Sequence, residues 1–200
     1  MPPTAPSPDD HRQSTADRAT LRRQCIAARE ALPAAEHAAL STRLEAHLLT
    51  WLENIEPTLL GFCWPIRAEF DARPLILRLL ARGWRAALPM IVAVDAPMIF
   101  RGWTPDSDLA IGRHGIHYPA RGEAVRPDLL LLPVNAFDAR GFRIGYGGGY
   151  FDRTLAAMAP RPLAVGVGFE LARLADIGPR PHDIPLDAVA TEAGIAFFPR

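Results

Sequence analysis

Apolar positions divide the chain into helical and strand-like stretches. Leu21, Cys25, Ala28 and Leu32 recur at helical spacing, which predicts a first helix beginning near Asp17. Pro33 interrupts it and can open a second helix, in which Leu40, Leu44, Leu48, Trp51 and Ile55 draw one apolar stripe. After Pro57 the pattern changes. "TLLGFCW" is an apolar run of strand length, followed by helical "ARPLILRLLARG" and then "WRAALPM", an alternation that predicts a βαβ crossover. "PMIFRGW" is a further strand candidate, and "DLAIGRHGIHYPA" reads as irregular. "DLLLLPV", residues 128–134, is continuously apolar, as expected of a central parallel strand covered on both faces. A glycine-rich loop, a short helix "YFDRTLAAM", and the strand candidates "RPLAVGVGF" and "AVATEAGIAFF" complete the chain. The pattern predicts an α/β sandwich with a mainly parallel or mixed sheet. Residues 1–16, rich in Pro, Ser and Asp, read as a disordered tail, and residues 17–200 as one domain.

Composition narrows the function classes. A chain of 200 residues with 49% hydrophobic and 22% charged content suits one soluble globular domain. The formal net charge of zero argues against a general nucleic-acid binder, which needs basic excess to neutralise phosphates. All 22 basic residues are arginine, so Schiff-base and phosphate-loop lysines are excluded, and any anion site must use guanidinium groups or backbone amides. Cys25 and Cys63 stand apart, without metal-ligand spacing, and read as free thiols in a reducing cytoplasm. No leader-like or membrane-length apolar run is visible, so a cytoplasmic location without membrane contact is expected.

Candidate chemistry centres on "RIGYGGGYFDRTL", residues 143–155, which has four glycines in five positions before a helix start. It lacks the lysine of a Walker loop, and Tyr150 stands where a dinucleotide fingerprint needs its third glycine. Two readings stand: amides converging on a phosphate or other anion at the helix N-terminus, with Arg143 and Arg153 adding charge, or a tight turn serving geometry alone. Asp152, in the first helical turn, either complements the helix dipole or ligates magnesium beside bound phosphates, with Asp183 as a second acidic candidate. In "FCWPIRAEFD", Trp64 and Glu69 lie just beyond a predicted strand end, where open α/β sheets bind ligands. An aromatic beside a carboxylate suits a flat heterocycle with N–H donors, though a half-buried Trp and a surface acid fit the same letters. His114 and His117 form an HxxH without a visible third ligand, better read as a solvated loop than as zinc. No GxSxG or Cys–His signature supports covalent catalysis.

The stretch "DLLLLPVNAFDARGFRIGYGGGYFDRTL" resembles the signature region of the 5-formyltetrahydrofolate cyclo-ligases, also called methenyltetrahydrofolate synthetases. Pro133, Ala136, Phe137, Asp138, Gly141, Arg143, Gly145, Gly147, Gly149, Tyr150, Asp152 and Arg153 all fall on that pattern. "LRRQCIAARE", "WPIRAEFDARPLI", "HDIPLD" and "ATEAG" extend the resemblance over nearly everything after the tail.

The resemblance implies a three-layer α/β/α fold and ATP- and Mg²⁺-dependent closure of 5-formyltetrahydrofolate to 5,10-methenyltetrahydrofolate. By position, Arg18, Arg22 and the loop Arg143, Ile144, Gly145, Tyr146, Gly147, Gly148, Gly149, Tyr150 and Phe151 would meet ATP. Trp64, Glu69, Tyr146 and Tyr150 would meet the folate, Asp152 and Asp183 the magnesium, and catalytic roles fall to Arg143 and Tyr150. The implied partner is a small-molecule substrate, on a monomer or weak homodimer. A folate- or nucleotide-binding relative without turnover is the alternative. The sequence departs from the pattern at Arg18, where lysine is usual, at Phe151 in place of a second tyrosine, at Val134 and Asn135, and at Ala172, where glutamine is expected.

Overall fold

The structure is a computed structural model describing residues 8–199. In chain order its elements are α1 (Pro8–Glu30), α2 (Ala34–Leu52), β1 (Leu59–Gly61), α3 (Arg73–Leu80), β2 (Arg85–Met90), β3 (Ile99–Trp103), β4 (Leu109–Ile111), β5 (His117–Pro119), β6 (Ala124–Val125), β7 (Leu129–Pro133), β8 (Ala136–Phe137), β9 (Arg143–Ile144), α4 (Tyr150–Ala157), β10 (Leu163–Val167), β11 (Ala188–Thr191) and β12 (Gly194–Phe197). Eight strands form one sheet in the order β12-β11-β10-β7-β1-β2-β3-β6. The middle of the sheet is parallel, with β1 paired to β2 and β7, and β10 to β7 and β11. Antiparallel β12, β3 and β6 close its two sides. This is the mixed, mainly parallel α/β sheet that the periodicity predicts.

Alternation along β7 explains why this strand is apolar throughout. Leu129 and Leu131 join a core with Leu44, Leu48 and Leu52 of α2 and Leu75, Ile76 and Leu79 of α3. Leu130 and Leu132 point the other way, into a core shared with Leu155 of α4, Leu186 and Phe137. Neither face of the strand meets water, so no polar alternation is possible. The stripe through Leu40, Leu44, Leu48 and Leu52 is the buried side of α2.

Three expectations need correction. Helix α1 opens at Pro8 and not near Asp17; residues 1–7 of the predicted tail lie outside the described residues. Proline suits a first helical position, where its missing amide would have no partner anyway. "DLAIGRHGIHYPA" is a hairpin, β4 paired to β5 around a short 3-10 turn. With three residues per strand it is too short to register an alternating pattern. "AVATEAGIAFF" is likewise two strands, folding back between Thr191 and Gly194.

Strand order reverses at β1. The chain leaves it for β2 on one side and later returns to its other side as β7. The crevice outside the carboxyl ends of such strands is where open α/β sheets hold ligands. Glu69 follows β1 and Asn135 follows β7, and α1 lies across both.

Candidate active site

Helix α1 presents Arg18, Arg22 and Arg29 at spacings of four and seven residues, hence on one face. Arg18 Nη1 donates to Asp183 Oδ2 at 2.8 Å and to the Gly178 carbonyl at 3.0 Å. Arg22 Nε donates to the Gly145 carbonyl at 2.6 Å, inside the glycine loop. Burial, followed by neighbouring Arg18 and Arg180, lowers the pKa of Arg22 from its ordinary value. The two predicted arginines of the first helix therefore reach the glycine loop and the segment holding Asp183.

The glycine loop turns through left-handed backbone, with φ of +95° at Gly147 and +62° at Gly149. Any side chain would be strained at either position. A Cβ on Gly147 would stand 3.2 Å from Arg22 Nη2, and one on Gly149 2.9 Å from Arg153 Nη1. Gly149 is the residue from which α4 starts, so the helix's free N–H groups face the loop. Beside them lies an open depression of about 350 Å³ lined by Asp95, Gly147, Gly148, Gly149, Asp152, Arg153 and His182. Arg153 bonds the Gly148 carbonyl, lies 5.2 Å from the Tyr150 ring centroid and is 3.5 Å from Asp95.

Arg143 is buried beneath this loop. Its Nη2 donates to Asp152 Oδ1 at 2.9 Å and its Nη1 to the Ile184 carbonyl at 2.7 Å, while the Ile184 N–H also donates to Asp152 Oδ1. Burial lowers the Arg143 pKa, and Asp152 and Asp183 oppose that shift. Asp152 bonds this guanidinium, and Asp183, bonded to Arg18, acts on it through charge alone. Each gives one oxygen to an arginine, and the Arg180 N–H donates to Asp183 Oδ2 at 2.8 Å. Among the described residues no cluster of three or more His, Cys, Asp or Glu side chains is arranged for a metal ion. Ile144 is fully buried beside Cys25, and Phe151 packs partly on the core under α4.

Glu69 sits in a second cluster that the loop shares. It is only 6% exposed; its Oε2 accepts the Ile66 N–H at 3.0 Å and its Oε1 the Tyr146 hydroxyl at 2.8 Å. Burial raises its pKa from the ordinary value, opposed by these two donors and by Arg29. Tyr146 OH also accepts from Arg29 Nη2 at 3.3 Å, although the residue is 42% exposed. Burial, then Glu69, pushes the phenol pKa up. Trp64 lies nearby with the Arg73 guanidinium 4.6 Å from its ring centroid and the His117 ring at 5.0 Å. Of the HxxH pair, His117 therefore packs on Trp64, while the His114 side chain lies outside the described residues. Cys25 is buried, Cys63 half-buried, and both are free thiols.

Most of the predicted site residues are joined by hydrogen bonds or ion pairs, while Trp64 contacts Arg73 and His117. Arg18, Arg22, Arg143, Asp152 and Asp183 interlock around the glycine loop, and Glu69 joins the loop through Tyr146. Arg29 is passed over by sequence reasoning, and Asn135 enters it only as a departure from the family pattern, without a role. A signal exists for Arg29, which continues the arginine face of α1.

A family model described as the 5-formyltetrahydrofolate cyclo-ligase family matches residues 14–192. The chain belongs to that family. Cyclo-ligases are ligases, and the similarity to individual members runs the length of the fold. The 5-formyltetrahydrofolate cyclo-ligase of Escherichia coli (strain K12) is 34% identical over 134 residues, 64% of this chain and 74% of that protein. The cyclo-ligase of Haemophilus influenzae is 24% identical over 180 residues, 86% of this chain and 96% of its own. An NMR structure of Aquifex aeolicus 5,10-methenyltetrahydrofolate synthetase superposes with a TM-score of 0.76 at 26% identity, covering 92% of this chain and 93% of that one. The fold is shared as well with a 5,10-methenyltetrahydrofolate synthetase from Mycoplasma pneumoniae, at a TM-score of 0.72 and 22% identity over 88% of this chain and 99% of that one. No helix among the described residues is long and apolar enough to cross a membrane.

Proposed function

We propose that this cyclo-ligase family member closes 5-formyltetrahydrofolate to 5,10-methenyltetrahydrofolate, using ATP with Mg²⁺ and releasing ADP and phosphate. The observation that carries the reading is the 2.8 Å bond from Tyr146 to Glu69, which joins a buried carboxylate to a glycine loop. A carboxylate suited to N–H donors of a heterocycle and a loop whose amides suit phosphates are therefore tied together.

The reaction needs this juxtaposition. A formamide oxygen is a poor leaving group, so attack by the folate's own N10 stalls. Transfer of the γ-phosphoryl group of ATP to that oxygen gives an iminium phosphate and ADP. N10 then attacks the formyl carbon, the new C–N bond forms, the C–O bond breaks, and phosphate leaves with the N10 proton passing to solvent. Arg22, the loop amides and the N-terminus of α4 hold the triphosphate and offset charge during transfer. Glu69 and Trp64 hold the folate so that cyclisation starts from a near-attack geometry. Tyr150, on the first turn of α4, sits where the two substrates meet.

The donor set fits magnesium. Arg143 and the Ile184 N–H both converge on Oδ1 of Asp152, and Arg18 and the Arg180 N–H both converge on Oδ2 of Asp183. The donors crowd onto one oxygen of each carboxylate, with the His182 ring 4.0 Å from Asp183 Oδ1, and Mg²⁺ commonly takes one or two carboxylates with phosphate oxygens and water. When bound, the ion would neutralise phosphate oxygens as charge moves to the leaving ADP. Arg143 keeps the Asp152 carboxylate oriented, and Arg18 keeps that of Asp183.

The test is direct. The purified protein is mixed with 5-formyltetrahydrofolate, ATP and Mg²⁺, and the near-ultraviolet absorbance of the methenyl product is followed. Product formation that requires all three supports the proposal. Tight folate binding without ATP-dependent product would instead make this a binding protein, and neither binding nor turnover would end the folate reading.

A further inference from the structure

The backbone that delivers Glu69 is unusual. Arg67 and Ala68, the two residues before it, both have left-handed backbone, with φ of 51° and 55°, and neither is glycine. Such conformations persist only where surrounding structure over-determines them. Here the grip comes from the two N-terminal helices. Arg29 Nε donates to the Arg67 carbonyl at 3.0 Å, and the His37 ring bonds the Ala68 carbonyl at 2.9 Å. Glu30 pairs with the Arg67 guanidinium through two contacts of 2.8 Å.

Arg29 does more than hold that turn. It is 4% exposed, and its three nitrogens serve three different segments. While Nε holds Arg67, Nη1 donates to Asn135 Oδ1 at 3.0 Å and Nη2 to Tyr146 OH at 3.3 Å, with Glu69 Oε1 4.0 Å away. Asn135 is itself 1% exposed, and its Nδ2 has no hydrogen-bond partner among the described residues. Leaving a buried amide nitrogen unpaired is costly, so the Arg29 contact is kept against a penalty.

We infer that Arg29 is a positioning residue for the folate half of the site: its guanidinium fixes the left-handed turn before Glu69 and holds the carboxylate and Tyr146 in one register. This rests on the folate reading proposed above. Arg29 acts through Glu69 and is not assigned a contact with substrate. The groups that face Glu69 are Arg29 from α1, Tyr146 from the glycine loop and Cys63 beyond β1. Arg29 is the cation among these three. Removing it withdraws the charge that favours the ionised carboxylate, so Glu69 takes up a proton at higher pH.

Arg29→Met and Arg29→Lys separate geometry from charge. Both should raise the Michaelis constant for 5-formyltetrahydrofolate by about tenfold or more, leaving the constant for ATP within about threefold, because the turn before Glu69 lies on the folate side and Tyr146 is the one lost contact in the loop read as meeting ATP. The pH dependence then divides the pair. In Arg29→Met, folate affinity should fall away at a higher pH than in the parent as acid is added. In Arg29→Lys, which keeps the charge but not the fork, the acid limb should stay near the parent's while affinity remains low. A thermal midpoint for each variant and direct folate titration without ATP show whether the folded protein is being measured. A folded Arg29→Met protein with parental folate affinity would overturn the inference, as would weaker folate binding with an unmoved acid limb. Absence of turnover in the parent protein would instead sink the proposed function, so the two failures are distinguishable.

Discussion

Gly147→Ala puts the phosphate-loop argument at risk. The residue holds φ at +95°, where an L side chain costs about 1–3 kcal/mol. Its new methyl would stand 3.2 Å from Arg22 Nη2, closer than ordinary contact, so the guanidinium must give way by a few tenths of an ångström. That same arginine holds the Gly145 carbonyl at 2.6 Å, so the displacement passes into the loop. How the penalty is divided depends on the loop's freedom. If the loop keeps its shape in the free protein, the cost appears as stability, about 2–4 °C in midpoint per kcal/mol for a domain of this size. If the exposed loop relaxes when empty, the cost is met on binding, and a penalty near 1.4 kcal/mol weakens ATP about tenfold. The exposure of Gly147 and Gly148 favours the second route. We therefore expect the Michaelis constant for ATP to rise about tenfold, with folate titration in the absence of ATP little changed. Methenyl absorbance gives the first quantity and a thermal scan the stability. Gly145→Ala provides the contrast: it lies outside positive φ and its Cβ meets no protein atom within 4 Å, so its midpoint should match the parent's. A Gly147→Ala protein with parental ATP constant and parental midpoint would refute the reasoning.

Glu69→Gln should weaken folate binding about tenfold or more, since an acceptor for N–H donors is traded for an amide; unchanged binding removes Glu69 from the folate site. The same variant tests the carboxyl's titration. Burial holds its folded pKa above the ordinary 4.5, so its stability contribution is present below that value and is lost as pH rises through the raised one. The fall in thermal midpoint across that window should be shallower in Glu69→Gln, and an identical slope would contradict the burial argument. Asp152→Asn keeps an oxygen for Arg143 and the Ile184 N–H but loses its charge, so the Mg²⁺ concentration for half-maximal rate should rise about tenfold. A superposable magnesium titration would exclude Asp152 as a ligand. Cys25 and Cys63 are both held above the ordinary thiol pKa, chiefly by burial, so iodoacetamide at pH near 8 should label them far more slowly folded than unfolded. Mass spectrometry showing equal rates would mean that the thiols are exposed.

The parts of this fold visible in the sequence are those with a long enough repeat. Leu40 through Leu52 mark α2 because helical spacing persists through four buried leucines. Leu129–Pro133 is recognisable because burial on both faces leaves no polar letter. Strands β4, β5, β6, β8 and β9, of two or three residues each, carry no measurable period and do not read as strands. In the site, the glycine cluster announces itself because glycine has no other reason to cluster at Gly145–Gly149. Arg67 and Ala68 do not, since nothing in their letters signals a left-handed backbone. That conformation is imposed by α1 and α2, more than thirty residues away in sequence, and such tertiary control leaves no local trace.

The absence of lysine acquires structural meaning at this site. A lysine ammonium is a point charge on a flexible stem, whereas a guanidinium offers donors in fixed, diverging directions. Arg29 uses all three of its nitrogens on groups from three segments, and Arg143 splits its fork between Asp152 and the Ile184 carbonyl. Arg18 reaches both Asp183 and the Gly178 carbonyl from one nitrogen. None of these roles is a charge pair alone: each guanidinium bonds a backbone carbonyl as well as a side chain. The crevice is walled by short segments, two-residue strands and turns whose own backbone ladders are too brief to hold them rigid. Diverging donors from α1, a 23-residue helix, supply the missing fixation. Through Arg18, Arg22 and Arg29, one rigid element sets the relative positions of the magnesium-side carboxylate, the glycine loop and the folate-side carboxylate proposed here, which is what a reaction joining two bound substrates demands.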